Sequence, residues 1–283
     1  MKIKVLLYLF FLIASIFVGE AKAQNDNIGK AKQLWEKVIA AKGGRENLYA
    51  VKNLVVSNKS YSPFEDEEFQ NSKSEELYVL SGKWWCWSDE RPGFTIGIKQ
   101  YDFENEIGYE ITENSEKPRI FKPLKPQNLS KEKLSIILDG ERYNNFAKER
   151  FLINQLIYLM ETEWFQPQIR AIRTERVNGE NLKVIEVSFG RQKLEYFIDP
   201  KTYLPNKIRR LVWFEDLKAF DNEDILYLEN YINASGVKFP QIVRRGKKTE
   251  TKTTYQVNVK YDENLFNKPP SIEAGAEAWK PKF

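Results

Sequence analysis

The chain has 283 residues, of which 42% are hydrophobic and 14% aromatic, so its composition excludes a disordered protein. The net charge is only +4, which argues against nucleic acid as an electrostatic partner. The chain has no histidine and a single cysteine, which excludes an intramolecular disulfide, histidine-based catalysis and the common zinc sites. The one thiol, Cys86, is interpreted as a buried small hydrophobe, and no cofactor is predicted.

The first residues have the pattern of a secretory signal peptide. Lys2 and Lys4 precede an apolar run over 5–18, and the small residues at 21–23 lie just before Gln24. The apolar run has about 14 residues, whereas roughly 20 are needed to span a bilayer as a helix. We therefore expect cleavage after residue 23 and a soluble, exported mature chain that forms one domain over 24–283.

An amphipathic helix is predicted after Asp26 and Asn27, and Gly43-Gly44 is expected to end it. Its apolar residues recur at helical spacing: Ala31, Leu34, Trp35, Val38 and Ile39. Strands are then expected at 54–60, 75–80, 83–88, 94–103 and 108–112. The acidic cluster at 65–68 is interpreted as a solvated loop, and a calcium site is the alternative.

The strand at 83–88 has two apolar faces. Trp85 and Trp87 point to one face, and Trp84 and Cys86 point to the other. One interpretation is a central strand that is buried on both sides. The alternative is that Trp85 and Trp87 form an aromatic wall of a ligand cavity.

Helical sequence is predicted at 130–138 and again at 141–164. The stretch from Phe151 to Met160 is apolar on most of its circumference, so it should make contact on more than one side. We expect this helix either to pack across a sheet or to cover a cavity and face an apolar ligand.

The last part of the chain is predicted to be a run of antiparallel hairpins. Asn178-Gly179 is a hairpin signal between strands at 169–177 and 182–189. A second hairpin over 194–213 turns at Asp199-Pro200, where the aspartate can bond to the following backbone. Strands at 225–233, 237–244 and 253–261 complete a meander with one face on the core, followed by an irregular segment over 262–283.

The sequence carries few marks of catalysis. It has no phosphate-binding glycine loop and no G-x-S-x-G elbow. Carboxylate pairs such as Asp221 with Glu223 or Asp224 are too common in a chain so rich in aspartate and glutamate to indicate acid–base chemistry. We therefore predict a protein that is not an enzyme, and a histidine-free hydrolase is kept as an alternative.

One basic cluster is present, and it consists of Arg244, Arg245, Lys247 and Lys248. The first interpretation is a solvated hairpin turn whose charges discourage edge-to-edge aggregation. The alternative is a contact for anionic lipid headgroups or another acidic surface.

Several motifs together resemble the outer-membrane lipoprotein-sorting family of LolA and LolB. They are an amphipathic helix ending in Gly-Gly (30–44), a D-P-K-T-x-L-P hairpin (199–205), a G-V-K-F-P strand entry (236–240) and a terminal L-F-x-x-P (265–269). The resemblance implies an α+β, mainly antiparallel fold: an unclosed β-barrel, or strongly curved meander sheet, with a helical lid. It also implies a periplasmic protein of a Gram-negative bacterium that holds acyl chains in an apolar cavity.

The resemblance places candidate cavity residues by their location in the lid and the wall. The lid residues are Trp35, Val38, Ile39, Phe151, Leu152, Leu156, Leu159 and Met160, and the wall residues are Trp85 and Trp87. The implied partners are lipid or lipoprotein acyl chains, and an envelope membrane protein to which release of the cargo is coupled. A monomer is expected.

Three functional hypotheses follow from the sequence. The first is a carrier or binder of a lipid or lipoprotein in the cell envelope. The second is an envelope sensor or scaffold of the same fold that binds a protein partner. The third is the histidine-free hydrolase.

Overall fold

A computed structural model describes most of the chain. The described residues are 27–61, 71–89, 96–121, 147–148, 150–151, 167–189, 192–214, 219–246, 249–266 and 269–270. The predicted signal peptide, the acidic cluster at 65–68 and the predicted helix at 130–138 lie outside these ranges.

The described chain is built around one antiparallel sheet of thirteen strands. In the first half the strands are β1 (Asn53–Tyr61), β2 (Asn71–Val79), β3 (Lys83–Asp89), β4 (Ile96–Asp102), β5 (Ile107–Thr112) and β6 (Arg119–Phe121). In the second half they are β7 (Gln168–Val177), β8 (Glu180–Phe189), β9 (Gln192–Ile198), β10 (Pro205–Phe214), β11 (Ala219–Ala234), β12 (Val237–Arg245) and β13 (Thr249–Val257). The helical elements are α1 (27–42), α2 (Gly44–Ala50), the short helical segment 147–148 and 150–151, and a 3-10 turn at Glu263–Phe266.

The sheet is open and consists of two meanders. Its strand order is β6-β5-β4-β3-β2-β1-β13-β12-β11-β10-β9-β8-β7, so every neighbouring pair except β1–β13 is consecutive in sequence. Strands β6 and β7 lie at the two ends of this order, and the described residues do not join them to each other. The prediction of a mainly antiparallel, unclosed sheet that carries helices is therefore confirmed.

Alternate residues of each strand lie on opposite faces of the sheet. We call the face on which α1 packs the helix face, and the opposite one the outer face. The helix face carries the main hydrophobic core, which includes Trp35, Val38, Leu54, Tyr78, Trp84, Phe151, Tyr196 and Phe239. The outer face of β1–β5 carries a second cluster, which is covered by Phe266 and Leu265 of the 3-10 turn.

Helix α1 crosses the second meander from one end to the other. Near its start, Asn27 Oδ1 accepts a hydrogen bond of 3.3 Å from the backbone N–H of Ile172 in β7. In its middle, the Trp35 ring packs edge-on against Tyr196 of β9, with ring centroids 5.2 Å apart. At its end, the Lys42 ammonium donates to the Lys238 carbonyl at 2.9 Å in β12. Each large apolar side chain buried in this way contributes roughly 1.5–3 kcal/mol, so packing holds the helix in place.

The end of α1 is fixed by a close approach of two glycines. Gly43 has φ 130°, and a Cβ built on it would overlap the carbonyl oxygen of Gly236 in the β11–β12 turn. Asn47 reinforces the contact, since its Nδ2 donates to the Gly43 carbonyl at 2.8 Å. The Gly-Gly and G-V-K-F-P motifs are thus the two sides of one contact.

A Gly43→Ala substitution should destabilise the protein more than a Gly44→Ala substitution. Both glycines have positive φ, which costs an L-residue about 1–2 kcal/mol. A Cβ on Gly44 meets no atom within 4 Å, whereas a Cβ on Gly43 displaces backbone and adds about 1–3 kcal/mol. Urea unfolding of both variants measures the difference, and equal losses would contradict the contact.

The structure departs from the predicted pattern at the end of β13. The alternation of 253–261 placed Val259 and Tyr261 on the same face as Tyr255. Instead β13 ends at Val257, and Asn258 adopts φ 56°, so Val259 and Tyr261 join the outer-face cluster. The Asn258 side chain stabilises this break by accepting from the Lys52 N–H and donating to the Ala50 carbonyl.

The predicted turn at Asp199 is confirmed in detail. Asp199 Oδ1 accepts hydrogen bonds of 2.8 Å from the backbone N–H groups of both Lys201 and Thr202. A short strand that was not among those expected from the sequence, β6 (Arg119–Phe121), pairs with β5. Among the described residues, no helix is long and apolar enough to cross a membrane.

Candidate functional site

Along four adjacent strands, the helix face changes from large apolar residues to small polar ones. In β1, Leu54 and Val56 are followed on this face by Asn58 and Ser60. The corresponding change in the other strands is from Tyr78 to Ser74 and Ser72, from Trp84 to Ser88, and from Tyr255 to Thr253, Thr251 and Thr249. In all four strands the small polar residues lie at the same end of the sheet, although neighbouring strands run in opposite directions. The helix face is therefore divided into an apolar half and a polar half.

The strand register aligns these small residues into rows. Asn58 lies opposite Ser74 in β2 and opposite Thr253 in β13. Hydrogen bonds follow this register: Asn58 Nδ2 donates to Ser74 Oγ at 3.1 Å, and Thr253 Oγ1 donates to Asn58 Oδ1 at 3.0 Å. In the next row Ser60 and Thr251 hydroxyls lie 2.8 Å apart.

The small side chains leave a cleft of about 350 Å³ on the helix face. Large aromatic residues fill the neighbouring half of this face, while serine and threonine do not. The described lining residues are Asn58, Ser60, Ser72, Lys73, Ser74, Ser88, Arg150, Leu226, Val243, Arg245, Thr249, Thr251 and Thr253. We call this space the polar cleft. Seven of its described lining residues carry hydroxyls, and two, Arg150 and Arg245, carry a positive charge on this face. Lys73 lies between Ser72 and Ser74, so its side chain points to the outer face.

A buried ion pair lies at the border between the apolar half and the polar cleft. Glu76 of β2 is only 1% exposed, and its carboxylate receives the Arg150 guanidinium in a two-pronged contact. The Tyr78 hydroxyl and the Trp84 indole N–H also donate to Glu76 Oε2, the latter at 3.2 Å. Removal of one partner from such a pair leaves an uncompensated buried charge, which is strongly destabilising.

The environment of Glu76 keeps its carboxyl ionised. Burial by itself would raise the pKa of Glu76, but the charge and hydrogen bonds of Arg150 and the donors of Tyr78 and Trp84 hold that pKa below its usual range. The pKa of Tyr78 is raised well above its usual value, because burial and the adjacent carboxylate both disfavour the phenolate. Arg150 is therefore held at the edge of the polar cleft by a carboxylate that is ionised at neutral pH.

A Glu76→Gln substitution should lower the free energy of unfolding at neutral pH by about 3 kcal/mol, because Arg150 loses its buried counter-charge. The folded-state pKa of Glu76 lies below its unfolded value, so its contribution is present above the ordinary glutamate pKa and is lost as pH falls through the folded value. The difference between wild type and variant should therefore shrink on going from about pH 7 to about pH 3.5. Urea unfolding at both pH values measures it.

Glu110→Gln is the matched control for this prediction. Glu110 pairs with Lys99 at 3.3 Å, and both side chains are partly exposed. An exposed pair of this kind contributes about 0–1 kcal/mol, so the control variant should unfold almost like wild type at neutral pH. A loss in Glu76→Gln that did not change with pH would contradict the ionised pair.

Four of the predicted lid residues are described, and all four belong to the main core. Trp35, Val38 and Ile39 of α1 are 4%, 0% and 3% exposed, and Phe151 is 0% exposed. Phe151 packs edge-on against Tyr78, with ring centroids 4.9 Å apart. The remaining predicted lid residues, Leu152, Leu156, Leu159 and Met160, lie outside the described residues.

The two predicted wall residues lie away from α1. Trp85 is 1% exposed within the outer-face cluster, and Trp87 packs against the same cluster. On the other side of β3, Trp84 belongs to the main core, and Cys86, expected to be buried, is half-buried and packs against that core. Both sides of β3 are therefore covered, as the interpretation of a strand buried on both faces predicts. Trp85 and Trp87 do not share the helix face with Trp35, so these two residues do not line a cavity together with α1.

The two described arginines of the basic cluster, Arg244 and Arg245, have different surroundings. Arg244 contacts Glu229 and Glu250 at 3.3 and 3.0 Å, whereas Arg245 contacts Asp224 at 2.8 Å and borders the polar cleft. The two arginines are successive residues of β12, so their side chains point to opposite faces of the sheet. Lys247 and Lys248 lie outside the described residues. Both described arginines of the predicted cluster are thus ion-paired at the surface, and Arg245 also borders the cleft.

Within the described ranges, no group of three or more acidic or sulfur-bearing side chains could hold a metal ion. The acidic cluster at 65–68 is not among the residues to which this finding applies.

Comparisons with known proteins return similar folds at low sequence identity. No family model matches the chain, and no curated protein matches it. One solved structure, described as an outer membrane lipoprotein-sorting protein domain from Vibrio parahaemolyticus, is 13% identical, with TM-score 0.48, and the match covers 85% of this chain and 97% of that one. A LolA superfamily protein from Nitrosomonas europaea is 12% identical, with TM-score 0.48 and coverage of 84% and 97%. A DUF1329 family protein from Desulfovibrio piger is 8% identical, with TM-score 0.48 and coverage of 83% and 96%.

The polar cleft was not predicted from the sequence, although part of its signal is visible there. Thr249, Thr251 and Thr253 alternate along one strand, and Ser72 and Ser74 alternate along another. Their common face becomes apparent only when the pairing of β1 with both β2 and β13 is known.

Proposed function

We propose that this protein is an exported, non-catalytic carrier or binder of a lipid, or of the acyl chains of a lipoprotein, in the cell envelope. The proposal combines the signal-peptide pattern and family resemblance of the sequence with the two-part helix face of the sheet. The single observation that carries it is that an apolar region under helices adjoins a polar cleft on the same continuous surface.

Such a surface suits a molecule with an apolar part and a polar part. Transfer of an acyl chain from water into an apolar region contributes roughly 0.8 kcal/mol per methylene group. A polar end that entered the same region without hydrogen-bond partners would cost about as much as several methylene groups contribute. The adjoining hydroxyl and amide groups of the polar cleft offer those partners.

Entry of an acyl chain requires a helical element to move away from the sheet. The α1 residues Trp35, Val38 and Ile39 are nearly fully buried, and Phe151 fills the space between Tyr78 and Phe103. The Phe151 segment also carries Arg150, which the Glu76 carboxylate holds against β2. We propose that the Phe151 end of this segment, rather than α1, is the part that moves, because the end of α1 is fixed by the contact between Gly43 and Gly236, and that Arg150 stays paired with Glu76.

The environment of Glu76 supports a binding role rather than acid–base catalysis. A general acid or base works best when its pKa lies near the operating pH. The pKa of Glu76 is instead held low by Arg150, and its oxygens accept bonds from Tyr78 and Trp84. This carboxylate therefore serves as a fixed anion that positions Arg150.

Mass spectrometry of the protein purified from its native envelope tests the proposal. We expect a stoichiometric lipid or acylated peptide under gentle conditions, and its loss after organic extraction. The extracted protein should then take up a fluorescent fatty acid. A protein that carries no lipid and also fails to take up the fatty acid would contradict the proposed function.

A further inference from the structure

We infer that the polar cleft binds an anionic, hydroxyl-bearing headgroup, such as a phosphate attached to a polyol, and that Arg150 and Arg245 receive the negative charge. The inference rests on the proposed function, and it specifies the chemical class of the ligand. It concerns described residues of β1, β2, β3, β12 and β13 together with Arg150.

The charge of the lining indicates an anion. Arg150 and Arg245 border the polar cleft on the helix face, and none of its described lining residues is acidic. Arginine is the side chain best suited to bind phosphate or carboxylate, because its planar guanidinium presents several N–H donors in a fixed arrangement. The cleft therefore has the charge and the donor geometry for an anionic group.

The two arginines are already positioned by carboxylates that lie outside the lining. Glu76 holds Arg150 from the side of the buried core. Asp224 of the neighbouring strand β11 contacts the Nε of Arg245 at 2.8 Å. Because this contact uses Nε, the terminal nitrogens of Arg245 keep hydrogen-bond donors for a ligand, and the loss of side-chain entropy on ligand binding is reduced.

The hydroxyl groups of the cleft lining indicate that the bound headgroup also carries hydroxyls. Asn58, Thr253, Ser60 and Thr251 form hydrogen-bonded pairs across strands, and each hydroxyl keeps a further acceptor or donor position. The Ser72 and Ser88 hydroxyls make no hydrogen bond within the described part of the chain. Serine and threonine hydroxyls can both donate to and accept from the hydroxyls of a polyol.

The position of the cleft connects the headgroup to the acyl chains. Arg150 borders the cleft, and the next residue, Phe151, belongs to the apolar core. A headgroup in the cleft thus places an attached chain at the edge of the apolar half of the same face.

Calorimetric titration with three soluble probes tests the inference on the full mature protein. The probes are dihexanoyl phosphatidylglycerol (anionic, with a polyol), dihexanoyl phosphatidylcholine (zwitterionic, with the same chains) and glycerol phosphate (the anion without chains). We expect phosphatidylglycerol to bind roughly ten-fold more tightly than phosphatidylcholine. This difference in affinity should become smaller at high salt. Glycerol phosphate should compete with phosphatidylglycerol for the site.

Two matched pairs of variants assign the effect to the cleft. Arg245→Gln should weaken phosphatidylglycerol binding roughly ten-fold and leave phosphatidylcholine unchanged, whereas Arg244→Gln, which removes the neighbouring charge on the other face, should change neither. Thr251→Val should weaken phosphatidylglycerol binding several-fold, whereas Thr254→Val, on the outer face, should not. Arg150→Lys keeps the charge beside Glu76, and thermal unfolding shows whether that variant is folded before it is titrated.

The outcomes separate the inference from the proposed function. Equal binding of the two lipids, unaffected by Arg245→Gln, overturns the headgroup inference and leaves the carrier proposal standing. Failure of every lipid and of the fluorescent fatty acid to bind overturns the carrier proposal. Binding of glycerol phosphate alone, lost in Arg245→Gln, supports an anion site in the cleft and shows that its ligand is a free phosphate ester rather than a lipid.

Discussion

The register of the antiparallel strands determines which side chains meet on the helix face, and both the core and the polar cleft depend on it. Because side chains alternate with a period of two, a shift of one residue between β1 and β13 would exchange Asn58 and Thr253 for outer-face residues. The buried residues Leu54 and Val56 oppose this shift, since it would remove them from the main core under α1. The apolar half of the face thus aligns the hydroxyls of the polar half.

The Glu76–Arg150 pair occupies the point at which the two halves meet. A buried charge is unfavourable unless it is paired and hydrogen-bonded, and Glu76 meets both conditions through Arg150, Tyr78 and Trp84. The pair therefore fixes the position of Arg150 more than it adds to the net free energy of unfolding. It fixes a helical segment across the sheet with a single orientation, which an apolar contact such as Phe151 with Tyr78 would specify less strictly.

The parts of the fold that could be predicted from the sequence are those with a short-range signal. The apolar spacing in α1 predicted its buried face, and alternation predicted most strands of the two meanders. Asp199 and its turn were predictable because the bonding partners lie two and three residues away. The reversal at Asn258 was not, because the backbone groups that its side chain binds lie more than 200 positions earlier in the chain.

The candidate site could not be predicted from the sequence for the same reason, because its residues are far apart in the chain. Glu76 and Arg150 are 74 positions apart, and neither residue belongs to a recognisable motif. Thr253 and Asn58 are 195 positions apart. The wall prediction for Trp85 and Trp87 illustrates the limit: alternation separates the two faces of β3 correctly, but only the packing of α1 and of Phe266 shows which face is which.

The strand order also has a consequence for the folding pathway. Each meander consists of hairpins between consecutive strands, which form from local contacts. The pairing of β1 with β13, which we call the β1–β13 seam, instead joins strands that are far apart in the chain and so has a high contact order. The polar cleft lies across that seam, since its rows join β1 to β13. The two halves of the cleft therefore belong to different meanders and become one surface only when β1 pairs with β13. A partly folded molecule, with both meanders formed but undocked, would have no complete cleft.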